Sequence, residues 1–142
     1  MYNHILLAVD LSDEHSWKKA LPTAVALSET FKAALHVMTV VPEFGLPAVG
    51  QYFPADYEGK LHKQVAKQLA DFVAEHIPDQ ANVQRIVAAG RIYQKVVDTA
   101  EQINADLIVM GSHRPELSDY LLGPNAARVV RHAPCSVMVV RE

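Results

Sequence analysis

The apolar run Asp106-Leu107-Ile108-Val109-Met110 closes on Gly111-Ser112-His113-Arg114-Pro115, and Gly123-Pro124-Asn125 then heads a helical pattern. Consecutive apolar residues bounded by turn formers read as a strand covered on both faces, the kind found inside parallel sheets. A glycine at the end of such a strand lets backbone approach a ligand closely. A second glycine at a helix start presents unpaired N–H groups and the positive end of the macrodipole to an anion. The segment therefore reads both as a core strand of an α/β fold and as a candidate phosphate cradle.

The same reading extends in both directions. Downstream, the helix beginning near Gly123 runs through Ala127, Val130 and Arg131 to about His132, Ala133-Pro134 interrupts it, and Ser136 to Val140 supplies a fifth strand. Upstream, Ile92, Val96, Val97, Ala100 and Ile103 mark a helix, and Val83 to Ala89 is a third strand ended by Gly90. The longest helix spans Tyr57 to Ile77, with Leu61, Val65, Leu69, Phe72, Val73 and Ile77 as its apolar stripe. Between it and the second strand, Ala34 to Val41, lies a segment from Pro42 to Asp56 with three prolines and two glycines, which reads as an irregular loop and candidate lid. Ile5 to Val9 is the first strand and delivers Asp10 at its tip. Ser12 or Asp13 then caps a helix through Trp17, Leu21, Ala24, Val25 and Ser28 to Phe31.

Alternating strands and helices with nearly continuous apolar strands predict a single-domain doubly wound α/β fold, a five-stranded parallel sheet with helices on both faces. A chain of 142 residues buries roughly two-thirds of its unfolded surface in one core. A formal charge of −3 provides no basic field for nucleic acid or anionic lipid, and no apolar run approaches the roughly 20 residues that span a bilayer. With no signal-peptide layout at the start, the expected location is cytoplasmic. The single cysteine, Cys135, excludes an internal disulfide, and no Cys/His spacing indicates a structural metal.

In open parallel sheets, ligands bind beyond the carboxyl ends of the strands where strand order reverses. With strands one and four as neighbours, Asp10 and Met110-Gly111 flank one crevice, with Val37 to Val41 as an apolar wall. Asp10 then accepts from ribose hydroxyls, backbone near Val37 reads an adenine edge, and N–H groups around Gly111 to Arg114 and Gly123 to Asn125 meet phosphates. The alternative reading stays open: Asp10 caps the helix that follows it, and Gly111 and Gly123 permit turns.

These residues resemble the nucleotide-binding branch of the universal stress proteins over essentially the whole chain. The likeness rests on Ile5 to Asp10, Leu35-His36-Val37, Gly90, Asp106 to His113 and Val129 to Val140. It implies an adenine-nucleotide alpha-hydrolase-like fold with strand order 3-2-1-4-5. It also implies an adenine-nucleotide ligand, ATP or ADP or AMP with or without Mg²⁺, with the family's binding roles carried to Asp10, Val37, Gly111 and Gly123, to which the reading of the crevice adds Met110, His113, Arg114, Pro124 and Asn125 as candidate contacts. In many members Gly-x-x-Gly, nine residues, then Gly-Ser/Thr holds the phosphates. Here Arg114 replaces the second glycine, eight residues separate Arg114 from Gly123, and Pro124-Asn125 stands where Gly-Ser or Gly-Thr is usual. Pro124 removes an N–H donor while suiting the first helical position, and Asn125 offers an amide for the missing hydroxyl. Arg114 either pairs with phosphate as a planar fork or plugs the site. The Ser112 to Pro115 and Tyr120 to Gly123 runs resemble a smaller nucleotide-binding subgroup with these changes. The resemblance further implies a homodimer, or a higher homo-oligomer, paired through Ser136, Val137, Met138, Val139 and Val140.

Ser112 beside His113 lacks a third member and a nucleophile elbow, so a hydrolase ranks last and any ATP turnover is expected to be slow. His36 reads as a satisfied core histidine, Cys135 as packing, and His4, His15, His62 and His76 as surface residues. The leading reading is a stress-response protein regulated by nucleotide occupancy. The alternative is a nucleotide-free scaffold or chaperone-like protein acting through its dimer surface.

Overall fold

The computed structural model describes residues 1–41, 57–78, 82–112 and 124–141. Among these, five strands form one sheet: β1 (His4–Ala8), β2 (Ala34–Val41), β3 (Val83–Ala89), β4 (Leu107–Gly111) and β5 (Ser136–Val140). Every pairing is parallel and the order is β3-β2-β1-β4-β5, as expected. The α-helices of the described residues are α1 (Ala20–Phe31), α2 (Tyr57–His76), α3 (Ile92–Gln102) and α4 (Pro124–His132).

Alternation along β1 explains why its apolar run is unbroken. Ile5 and Leu7 enter one core with Val37, Val109, Leu21 and Ala24 of α1, and Leu69, Phe72 and Val73 of α2. Leu6 enters the other with Met38, Ile108, Val96 and Ala100 of α3, and Ala126 and Val129 of α4. Each face of the strand is thus covered by its own helix pair, so no polar residue is required on either side. β1 stands where the winding reverses. The chain moves from β1 towards β3 over the α1/α2 face, then returns to β4 and β5 over the α3/α4 face.

The region after β1 differs from expectation. Ser12 does not cap a helix; its N–H and hydroxyl both donate to Asp10 Oδ1, at 3.0 and 2.7 Å. Asp13 does act as a cap, accepting from the His15 N–H at 3.0 Å, but what it caps is a 3₁₀ turn over Glu14–Ser16. The α-helix begins only at Ala20, and Trp17 lies between the two. α1 closes on Lys32 in the left-handed region (φ 54°), with the Ala33 N–H returning to the Ser28 carbonyl at 2.9 Å. α3 ends on Asn104 at the same φ, with the Ala105 N–H returning to the Ala100 carbonyl. Asp106 ties the starts of β4 and β1 together, its carboxylate accepting from the backbone N–H groups of Asn3 (2.8 Å) and His4 (3.2 Å).

Candidate functional site

The register Ala8↔Met110 sets β1 and β4 side by side up to their carboxyl ends, so Asp10 and Gly111 share one rim. Asp10 is exposed there, held by its own backbone as much as by its side chain. Its N–H donates to Ser16 Oγ at 2.9 Å, and its carbonyl accepts from the Asp13 N–H at 3.0 Å. The Ser16 hydroxyl lies 2.7 Å from the Asp13 carbonyl and 3.0 Å from that of Asp10, so one serine pins the loop from inside. Of the carboxylate, Oδ1 is taken by Ser12, whereas Oδ2 makes no hydrogen bond among the described residues. Asp10 therefore serves the loop with one oxygen and leaves the other without a hydrogen bond among the described residues.

Gly111 has a packing reason to be glycine. A β-carbon there would lie 2.5 Å from the Ser16 carbonyl oxygen and 2.9 Å from that of His15, both fixed backbone atoms. The 3₁₀ turn presses directly on the tip of β4, and only the absence of a side chain allows it. Just beyond, the Ser112 N–H donates to the Val140 carbonyl at 2.8 Å, extending the β4–β5 ladder past the glycine. Met110 is buried on the α3/α4 face. Pro124 and Asn125 open α4, where proline occupies a first-turn position whose N–H would have no helical partner. His113, Arg114 and Gly123 lie outside the described residues, as does the Pro42 to Asp56 segment read from the sequence as a loop and candidate lid.

Val37 stands apart from the rim. It pairs with Leu7 on one side and Arg85 on the other, and its side chain is fully buried in the α1/α2 core. At about 3.3 Å per residue it lies roughly 10 Å below Asp10 along the strand direction. The part of β2 level with Asp10 is Thr39 to Val41, which runs past the last β1–β2 pair, Ala8↔Met38, and is backed by Val87 to Ala89 of β3. Gly90, at φ 139°, closes this overhang through its N–H to the Val41 carbonyl at 2.9 Å. The signal in the sequence is length: eight apolar-rich residues in the second strand against five in the first leave three with no neighbour on the β1 side.

The sequence model described as "Universal stress protein family" matches residues 1–141. The chain belongs to the universal stress protein family. It is 31% identical to universal stress protein G of Shigella flexneri over 144 residues, covering 99% of this chain and 100% of that one. A universal stress protein of Methanocaldococcus jannaschii is 32% identical over 146 residues, covering 100% of this chain and 84% of that one. Among solved structures, universal stress protein UspA from Lactobacillus plantarum superposes with a TM-score of 0.75 at 29% identity, covering 99% and 98% of the two chains. A universal stress protein solved in complex with cAMP superposes at 0.68 with 20% identity, covering 98% and 97%.

Two histidines of this universal stress protein are not the surface residues that sequence reasoning expects. His76 packs its ring on Trp17 and Phe72, each at 4.7 Å between centroids, closing the α1/α2 layer. His4 is half-buried and meets His36 at the opposite end of β1 from Asp10. Cys135 is half-buried, and burial, followed by the charge of Asp106, pushes its thiol up. Among the described residues no three His, Cys, Asp or Glu side chains gather to hold a metal ion, and no helix is long and apolar enough to cross a membrane.

Proposed function

We propose that this protein is a cytoplasmic, homodimeric universal stress protein that binds an adenine nucleotide, ATP or ADP or AMP with or without Mg²⁺, and signals by occupancy. The observation that carries the reading is the pairing of β1 with β4 at the point where the winding reverses, with Asp10 on the rim beside Gly111. The free Oδ2 of Asp10 suits ribose hydroxyls, the overhang of β2 suits the base, and the start of α4 with the glycines and Arg114 before it suits phosphate. The neighbour solved with cAMP supports the reading to the extent that this fold can hold an adenine nucleotide. Calorimetric titration with ATP, ADP and AMP tests it. Binding is expected, with Asp10→Ala weakening it by about 1–3 kcal/mol through the lost charge-assisted hydrogen bonds. No heat and no bound nucleotide at millimolar ligand reject it.

The scaffold reading has its own support in the occupied Oδ1 of Asp10 and in the turn seated on Gly111, which give both residues work without a ligand. Arg114→Ala separates the two readings. Weaker nucleotide binding marks the arginine as a phosphate partner, and tighter binding marks it as a plug. In either reading the open edge of β5 is the proposed dimer seam.

A further inference from the structure

At the amino-terminal end of the sheet, opposite the rim that carries Asp10, Nδ1 of His4 and Nε2 of His36 lie 3.3 Å apart with their rings tilted 46°. Both side chains point to the α3/α4 face, because Leu6 and Met38, two residues along each strand, do so. His36 is buried and His4 half-buried. The charged and titratable groups around the pair are few among the described residues. Asp106 holds the backbone N–H of His4, and Cys135 follows near Asp106. The β3 partner of His36 is the uncharged Gln84, with Arg85 next along that strand. α3 packs on this face through Val96 and Ala100, and α4 through Ala126 and Val129.

We propose that His4 and His36 form an acid-sensitive latch across β1 and β2, closed while the pair carries no more than one extra proton and released when both rings are charged. The proton count gives the reason. Two neutral imidazoles share one N–H between them. A third proton makes one ring an imidazolium that still donates to its neutral partner. A fourth sets N–H against N–H, with two positive charges and no acceptor, beside a buried His36 ring that water reaches poorly. Burial, followed by the charge of His4, accordingly holds His36 below its ordinary value of 6.5.

The sign follows from linkage. The unfolded chain protonates both rings as the pH falls through about 6.5, whereas the folded chain resists the last proton, so stability is full above that value and is lost as the pH falls below it. The loss levels off once His36 is charged in the folded state too. One withheld proton corresponds to about a tenfold fall in the folding equilibrium constant per pH unit.

Urea unfolding of the full chain at steps from pH 7.5 to 5.5 tests the latch, with His36→Gln and His4→Gln beside the parent and His62→Gln, on the exposed face of α2, as the control. The parent and the control should lose up to about tenfold per unit below 6.5. His36→Gln should remove that slope, and His4→Gln should reduce it although His36 remains buried. A His4→Gln slope equal to the parent's overturns the proposal, because burial of one ring would then explain everything. Imidazole NMR titration of the unaltered protein keeps the proposal testable if His36→Gln does not fold. The His36 ring should take up its proton below its ordinary value of 6.5, and two rings titrating independently near 6.5 in the folded chain would refute the latch.

Discussion

Gly111 illustrates how a single residue answers to two parts of the molecule. Its place at the tip of β4 suits backbone approach by a ligand, but the carbonyls of Ser16 and His15 already occupy the space where a side chain would go. These demands separate experimentally. Gly111→Ala should lower the stability of the nucleotide-free protein by about 1–3 kcal/mol, since the added carbon must push a hydrogen-bonded turn off the strand. Thermal unfolding without ligand measures it. An unchanged midpoint would show that the turn yields freely and that the glycine is there for something else. Asp10 has the same double character in polar form, with one oxygen bound into the loop and the other without a hydrogen bond among the described residues. From the sequence, both the ligand and the loop readings of these residues were open. The structure gives the loop roles their atoms, because the atoms that decide them belong to a turn far from residue 111 in the chain.

Helix ends show which local features a sequence carries openly and which it conceals. The strands fall within a residue of expectation, β1 at His4–Ala8 rather than from Ile5 and β4 at Leu107–Gly111 rather than from Asp106, and for these two inner strands burial on both faces writes the element as an apolar run. The first helix does not. Ser12 and Asp13 both look like caps, and nothing in their spacing says that the serine will serve Asp10 or that the helix must wait until Ala20. The pairing of His4 with His36 and the packing of His76 on Trp17 are equally invisible, since each joins elements distant in sequence. The closing turns of α1 and α3 add a quantitative contrast. Asn104 takes the left-handed conformation at low cost, whereas Lys32, also at φ 54°, places a β-carbon where it crowds the following carbonyl. Lys32 is exposed, so Lys32→Gly should stabilise the chain by about 1 kcal/mol, visible as a raised urea midpoint at unchanged m-value. A lowered midpoint would mean that glycine's freedom in the unfolded chain outweighs the strain relieved.

At the scale of the whole molecule the sheet ends, among the described residues, in two edge strands, β3 and β5, and their side chains differ. β3 exposes Gln84 and Arg85, whereas β5 carries Val137, Met138, Val139 and Val140 half-buried, Met138 and Val140 packed on one core and Val137 on the other. A charged edge discourages pairing and an apolar one invites it, which favours β5 as the seam of the proposed dimer. The ladder shows how to test this without disturbing the monomer. In a parallel strand the N–H and C=O of one residue point to the same side, and the Val140 carbonyl accepts from Ser112 on the β4 side. Val139, one residue back, therefore directs its backbone groups to the open edge. Val139→Pro removes an outward N–H while leaving every β4–β5 hydrogen bond in place. A twofold seam loses one such bond per protomer, so the dimer should weaken by roughly ten- to hundredfold at about 1 kcal/mol for each. Sedimentation velocity across a dilution series reads the shift, and an unchanged circular dichroism spectrum shows that the monomer still folds. A dimer that survives the substitution at undiminished affinity would mean that the two copies meet elsewhere, and the half-buried valines of β5 would then be the margin of the core and no interface.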